Sequence, residues 1–230
     1  MKVDIWSDII CPWCYIGKRR FEAALARFPH RAAIELTWRS FELDPSAPPS
    51  PEQPGRYVEH LARKYAITPD QAQLMIDRVT SAAAEEGLEY QFDIARRGNT
   101  FDAHRLLHLG LQEGVQDQLK ERLDRATFTE GLPVSDHQAL TEVATQVGLD
   151  EMEVNEVLAS DMYADAVRVD EAQARTHGIA AVPFFVIDGK YGIAGAQSPD
   201  VIAAALDRAW RDRSPLSVVG DGTDRRSGST

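Results

Sequence analysis

The chain has 230 residues, of which 43% are hydrophobic, which suffices for one large domain or two smaller ones. Its formal net charge of −11 and its pI near 5.0 argue against nucleic acid and anionic membranes as partners. No stretch approaches the roughly 18 apolar residues of a membrane-spanning helix, and the opening Met1-Lys2-Val3-Asp4 lacks the apolar core of a secretory signal. We therefore expect a cytoplasmic protein.

The first forty residues predict a strand, a helix and a second strand. Lys2–Trp6 is mostly β-branched or aromatic, as strands are. Cys11–Phe28 carries apolar residues at helical intervals and is followed by Pro29. Ile34–Phe41 alternates with a period of two, which is typical of a half-buried strand.

The middle of the chain predicts helices. Asp44–Gly55 contains five prolines and cannot continue a sheet. From Arg56 to about His177 the apolar residues recur at helical spacing, and only Leu88–Phe92 looks extended. Thr68-Pro69 supplies a cap and a first-turn proline to one of these helices.

After Gly178 the strand pattern returns. Val182–Ile187 is predicted as a strand, Asp188-Gly189-Lys190 as a tight turn and Tyr191–Ala194 as the partner strand. Ser198 then begins a last helix with one apolar face.

Both cysteines of the chain lie in the motif Cys11-Pro12-Trp13-Cys14, at the first strand–helix junction. This spacing brings the two sulfurs to the first turn of a helix, where a reversible disulfide can form. Free N–H groups and the helix dipole favour a thiolate there, so we expect a lowered pKa for Cys11. Cys11, the more exposed, would exchange with the substrate, and Cys14 would resolve the mixed disulfide. The motif indicates a thiol–disulfide oxidoreductase.

Other interpretations of the cysteine pair are weaker, including two inert buried cysteines that are adjacent by chance. A zinc site needs about four ligands, and only His104 and His108 stand at a suitable spacing, within a Leu-rich run typical of a core. A structural disulfide that closes a two-residue loop would add little stability. We therefore expect no metal.

The order of elements predicts an α/β fold: a thioredoxin fold with a large all-helical insertion. The thioredoxin-like domain would comprise residues 1–44 and 178–213, and the inserted helical domain residues 45–177. Residues 214–230 are rich in Gly, Ser, Asp and Arg without periodicity, which predicts a disordered tail.

Val182-Pro183 begins the third predicted strand, although proline gives up a ladder hydrogen bond there. An ordinary edge-strand proline is one interpretation. The other is a cis-proline that faces the disulfide, so that the backbone of Val182 can pair with a bound peptide or thiol. The cysteine motif favours the second. We thus predict Pro183 as a catalytic residue, and Val182, Pro12 and Trp13 as substrate-binding residues.

Four segments together resemble the DsbA family, and in particular its cytoplasmic FrnE-like branch: Ser7–Gly17, Asn99–Arg105, Gly178–Val186 and Gly195–Gln197. The resemblance extends from Met1 to about Arg213. It implies a thioredoxin fold with inserted helices, a redox-active Cys11–Cys14 pair and a cis-Pro183.

The same resemblance implies that Asn99 and His104 lie near the active-site cleft and bind substrate. From the residues alone, Asn99 or Thr100 could simply cap a helix, and His104 could be a hydrogen-bonded core residue. The implied substrate is a protein or small-molecule thiol or disulfide. No cofactor is implied beyond the Cys11–Cys14 disulfide, with a low-molecular-weight thiol as a candidate co-substrate.

Two rival functions stay open at this point. One is that of 2-hydroxychromene-2-carboxylate isomerase and kappa-class glutathione transferase, whose architecture is similar and which bind glutathione. Neither enzyme needs a resolving thiol such as Cys14. A chaperone or interaction module would tolerate the loss of both cysteines. The chain also departs from DsbA itself, which is periplasmic and has His between its cysteines. The oligomeric state is left open.

Overall fold

In the computed structural model, which describes residues 1–48 and 54–213, the α/β part is built on a mixed four-stranded sheet. Its strands are β1 (Lys2–Ser7), β2 (Glu35–Ser40), β3 (Phe184–Ile187) and β4 (Tyr191–Ala194), in the order β2-β1-β3-β4. Strand β1 is parallel to β2 and antiparallel to β3, and β3 is antiparallel to β4. This sheet joins the two ends of the sequence.

The helices of the described residues follow the predicted order. They are α1 (Pro12–Arg27), α2 (Tyr57–Tyr65), α3 (Pro69–Glu85), α4 (Phe101–Gln112), α5 (Gln116–Thr129), α6 (His137–Thr145), α7 (Glu151–Ala159), α8 (Ala164–Thr176) and α9 (Pro199–Arg211). Helices α2 to α8 all lie between β2 and β3 in the sequence. The fold is therefore α/β, a thioredoxin-like fold with a helical insertion, as the sequence predicted.

The sheet and the inserted helices have separate cores. Phe21 of α1 stacks on Phe185 of β3 with ring centroids 5.8 Å apart, in a cluster that also includes residues of α9. A second cluster consists mainly of Leu and Val side chains from α4 to α7, and Ile9 and Ile10 reach into it from the segment after β1. The segment that carries the cysteines is therefore anchored in the core of the insertion as well as in the sheet.

A third cluster joins α1 to the inserted helices. Tyr15 and Ile16 of α1 pack with Ile76 and Val79 of α3 and with aromatic side chains around Tyr90. One face of α1 is thus buried against the sheet and another against the insertion, which fixes the position of its first turn.

Two local signals can be compared with the structure. Thr68 forms the predicted cap, accepting from the Gln71 N–H while the Gln71 side chain accepts from the Thr68 N–H. Leu88–Phe92, which the sequence analysis described as extended, lies outside the helices and strands of the described residues, and its Gln91 N–H donates to the Phe128 carbonyl of α5.

Two sequence predictions remain predictions. The domain boundaries at residues 44–45 and 177–178 are not decided by the positions of the elements alone. The predicted tail, residues 214–230, lies outside the described residues.

Within residues 1–48 and 54–213, no helix is long and apolar enough to cross a membrane.

Candidate active site

The two cysteines lie at the junction of β1 and α1. Cys11 is the N-cap residue of α1 with an extended backbone, Pro12 occupies the first turn, and the Cys14 N–H donates to the Cys11 carbonyl at 2.9 Å. Both cysteines are free thiols. Cys11 is 4% exposed and Cys14 is fully buried. The geometry therefore makes Cys11 the outer sulfur of the pair.

A cavity of about 550 Å³ adjoins the outer thiol. Cys11, Pro12 and Trp13 form one wall and Val182 another, while helices α2 and α3 of the insertion supply apolar side chains. Trp13 is 37% exposed, whereas Cys14 does not line the cavity. The sheet and the insertion thus enclose a space in which a substrate would meet Cys11 first.

The Val182–Pro183 peptide bond is cis, which confirms the expected conformation of Pro183. The Cys11 thiol donates to the Val182 carbonyl oxygen at 3.5 Å, so the segment before β3 lies against the outer sulfur. Gly17 of α1 faces the proline, and a Cβ atom at position 17 would come within 2.8 Å of the Pro183 Cγ. The close contact between α1 and this segment therefore requires glycine.

The pKa of Cys11 differs from the expectation. In the reduced pair it is raised well above its ordinary value, first by the hydrogen bond with the Cys14 thiol, then by burial and by the negative charges of Cys14 and Asp8. The Cys14 backbone N–H opposes this rise. The helix terminus alone does not decide whether the pKa of Cys11 is raised or lowered, because two thiols in contact cannot both ionise easily.

Asp8 is a buried residue of the site to which the sequence analysis gave no role. Its carboxylate accepts from the backbone N–H groups of Ile9 and Leu43, both at 2.7 Å, and lies 3.2 Å from the His104 Nε2. Burial alone would raise the pKa of Asp8, but these contacts hold it below its ordinary value. A negative charge is therefore fixed behind Cys11.

The two remaining predicted binding residues do not line the cavity. His104 is fully buried on α4 beside Asp8, which is the core arrangement that the sequence left open. Asn99 accepts from the Phe101 N–H and donates to the Ala47 carbonyl, at the beginning of α4. The structure thus brings Cys11, Cys14 and the cis-proline together, and places Asn99 and His104 outside the cavity lining.

The two histidines considered as metal ligands point to different partners. The His108 Nε2 lies 3.1 Å from an Asp170 carboxylate oxygen and 3.3 Å from the Ser40 hydroxyl, whereas His104 contacts Asp8. In the part of the chain that the structure describes, no three His, Cys, Asp or Glu side chains form a group suited to a metal ion.

Two thiols at the N-terminus of α1 lie next to a cis-proline, and helices α2 to α8 are inserted between strands β2 and β3 of the sheet. These features define the fold class as thioredoxin-like. The chain matches the family model for the DSBA-like thioredoxin domain over residues 2–207 and belongs to that family.

Three known proteins illustrate the relationship. The chain is 45% identical to a Streptomyces coelicolor protein described as a probable DsbA oxidoreductase, SCO1869, with a TM-score of 0.89 over 95% of this chain and 94% of that one. It is 29% identical to the uncharacterized protein YwbO of Bacillus subtilis, covering 89% and 94% of the two chains. Cytosolic disulfide reductase DsbM from Pseudomonas aeruginosa, solved with GSH, shares the fold at 16% identity, with a TM-score of 0.65 over 92% and 100% of the two chains.

Proposed function

We propose that the protein is a thiol–disulfide oxidoreductase in which Cys11 and Cys14 alternate between dithiol and disulfide. The observation that carries the proposal is the placement of the two sulfurs: Cys11 lines the cavity, and Cys14 lies fully buried one helical turn behind it. This order suits an attacking thiol followed by a resolving thiol.

The proposed exchange has two balanced steps. The Cys11 thiolate attacks one sulfur of a substrate disulfide, so that a mixed disulfide forms and the other substrate sulfur leaves as a thiolate that takes up a proton. Cys14 then loses its proton and attacks the Cys11 sulfur, which releases the second substrate thiol. The substrate gains two electrons and two protons, and the protein is left with a Cys11–Cys14 disulfide. The same two steps in reverse order oxidise a substrate dithiol and reduce the Cys11–Cys14 disulfide.

The raised pKa of Cys11 opposes the first step, because the thiolate is the attacking species. Its largest cause is the hydrogen bond with the Cys14 thiol in the reduced pair. We therefore expect the first exchange to accelerate as the pH rises.

Family membership supports the reaction class, and the DsbM structure solved with GSH supports a low-molecular-weight thiol as one kind of substrate. Protein thiols are the other kind. The FrnE-like assignment and the cytoplasmic location remain expectations from the sequence.

The experiment that tests the proposal uses three forms of the full chain with oxidised glutathione and mass spectrometry after acid quenching. Wild type should form the intramolecular disulfide, Cys14→Ser should accumulate a glutathione adduct at Cys11, and Cys11→Ser should react far more slowly. A stable adduct on Cys11 in wild type, with no Cys11–Cys14 disulfide, would instead favour a glutathione-dependent isomerase or transferase.

A further inference from the structure

The side chain of Arg97 lies in the cavity wall and makes no hydrogen bond or ion pair with residues 1–48 or 54–213. Arg97 is 8% exposed, and its Nε atom makes no hydrogen bond. Arg105, buried to a similar degree, donates instead to the Asp102 carboxylate and to backbone carbonyls of Val157 and Met162. Burying a cation without a partner reduces the free energy of unfolding. Such a residue is therefore a candidate for binding a ligand of opposite charge.

Two neighbours locate this charge beside α2. The pKa of His60 is lowered to about 4. Burial is the largest cause, and the positive charge of Arg97 is the second. The same charge opposes the burial that raises the pKa of Tyr57. Tyr57 also lines the cavity with Cys11. The guanidinium therefore acts on the space in which a substrate would reach the outer thiol.

The carboxylate of Glu42 lines the same cavity but does not neutralise Arg97. Glu42 is 6% exposed, its Oε2 accepts from Arg168 at 2.5 Å, and its Oε1 has no hydrogen-bond partner. No ion pair joins Glu42 to Arg97 in the described part of the chain. The Arg97 guanidinium and the Glu42 Oε1 thus remain available to a ligand, and Lys64 lines the same cavity.

The rest of the wall limits the size and chemistry of that ligand. Apolar side chains such as Leu61, Ile76 and Val79 surround the polar groups, and the volume of about 550 Å³ is that of a small-molecule site. The planar fork of an arginine matches a carboxylate with two parallel hydrogen bonds.

From these observations we infer that Arg97 binds the carboxylate of a low-molecular-weight thiol or disulfide whose remaining body is partly apolar. The inference rests on the proposed oxidoreductase function and adds a substrate class to it. The exchange chemistry is unchanged: Arg97 holds the carboxylate while a substrate sulfur reaches Cys11.

The test compares two aromatic disulfides that differ in charge. Reduced full-length protein is mixed with dithiobis(nitrobenzoate), which carries carboxylates, or with dithiodipyridine, which is uncharged near neutral pH, and chromophore release is followed by stopped flow. Arg97→Met should lower the ratio of the two second-order rate constants by about tenfold or more, the effect of losing one charge-assisted hydrogen bond. Arg97→Lys should retain part of the ratio.

Matched variants separate local recognition from net charge. Arg211→Met removes an equal charge from the exposed end of α9 and should leave the ratio unchanged. Arg97→Met should also raise the unfolding midpoint by about 2 °C or more, because an uncompensated buried charge is removed. An unchanged ratio in Arg97→Met, or an equal fall in Arg211→Met, would overturn the inference.

The same traces report separately on the oxidoreductase function. If dithiodipyridine releases two equivalents of chromophore and leaves a Cys11–Cys14 disulfide, the redox pair works whatever Arg97 does. If only one equivalent is released, the redox function fails, while the ratio from the first phase still decides the role of Arg97.

Discussion

The Nε2 atom of His104 lies 3.2 Å from the Oδ1 atom of Asp8, and neither side chain has any exposed surface. Asp8 also accepts from the N–H of Leu43, just after β2. One carboxylate therefore ties together the segment before Cys11, the end of β2 and the inserted helix α4. Its negative charge raises the pKa of Cys11.

Asp8→Asn should therefore lower the pKa of Cys11, because the variant removes a negative charge behind the thiol. The measurement is the pH dependence of Cys11 alkylation by iodoacetamide, in a Cys14→Ser background so that a single thiol reacts. Asp4→Asn is the control, since Asp4 lies on β1, just before Asp8 in the sequence, but pairs with Arg39. An unchanged profile in Asp8→Asn would contradict the electrostatic role of Asp8.

The Asp8 carboxylate should also make stability depend on pH. Because the pKa of Asp8 is lowered in the folded protein, its contribution is present above the unfolded pKa, near 4, and is lost as the pH falls through the folded value. Asp8→Asn should cost about 2–4 kcal/mol near neutral pH and less in acid. Urea unfolding of both forms across this pH range measures the difference. A constant difference would show that the stabilisation does not come from the ionised form.

Tyr90→Phe should loosen the first turn of α1. The Tyr90 hydroxyl donates to the Pro12 carbonyl at 2.6 Å, which links the insertion to the cysteine motif. Its loss should cost about 1 kcal/mol and speed amide hydrogen exchange in residues 12–16. In the matched variant Tyr191→Phe, the lost bond is to Asp212 at the surface and the exchange of residues 12–16 should not change.

Gly17→Ala should destabilise the protein, although the same change in an ordinary helix stabilises it. A Cβ atom at position 17 meets the Pro183 ring at 2.8 Å, and neither backbone can yield without moving the cavity wall. We expect the free energy of unfolding to fall by about 1–3 kcal/mol. We also expect slower thiol–disulfide exchange at Cys11. A gain of about 1 kcal/mol in chemical denaturation, as expected for unhindered alanine, would show that the contact is not tight.

Lys120 and Asp124 form an ion pair on α5 in which neither side chain is exposed. Lys120→Met alone should cost about 3–5 kcal/mol because a buried carboxylate loses its partner, whereas Lys120→Met with Asp124→Leu should recover most of this. The exposed pair Arg27–Asp200 is the control, and its single variants should cost less than about 1 kcal/mol. Equal costs at the two pairs in urea unfolding would contradict the account.

The pH dependence of the buried pair has a definite sign. Burial raises the pKa of Asp124 to about 6, despite the opposing effect of Lys120. The folded state therefore binds a proton that the unfolded state has lost between about pH 4 and pH 6, and stability from this group falls as the pH rises through that window. The double variant should lose this slope.

The elements that the sequence predicted well are those set by neighbouring residues. The helix after Cys11, the turn at Asp188–Lys190 and the Thr68 cap depend on periodicity and turn chemistry within a few residues. The cis form of Pro183 was favoured by the cysteine motif and was also implied by the family resemblance. The Cys11–Cys14 pair was predicted because a spacing of two residues between cysteines, at a strand–helix junction, is typical of a redox pair.

The features that the sequence did not reveal depend on distant contacts. Asp8 and His104 are 96 residues apart, and nothing local in either segment indicates the pairing. Arg97 is informative because its Nε atom has no hydrogen-bond partner among the residues that the structure describes, which is a tertiary property. The pKa of Cys11 was expected to fall because only the helix terminus was considered, whereas the hydrogen bond with the Cys14 thiol, burial and the neighbouring charges raise it.

The most direct test of the redox pair is its equilibrium titration in buffers of reduced and oxidised glutathione, followed by the fluorescence of Trp13 beside Cys11 and by mass spectrometry after acid quenching. We expect one reversible two-electron transition, from two free thiols to a Cys11–Cys14 disulfide. Absence of that disulfide at every glutathione ratio, with glutathione bound at Cys11 instead, would contradict it.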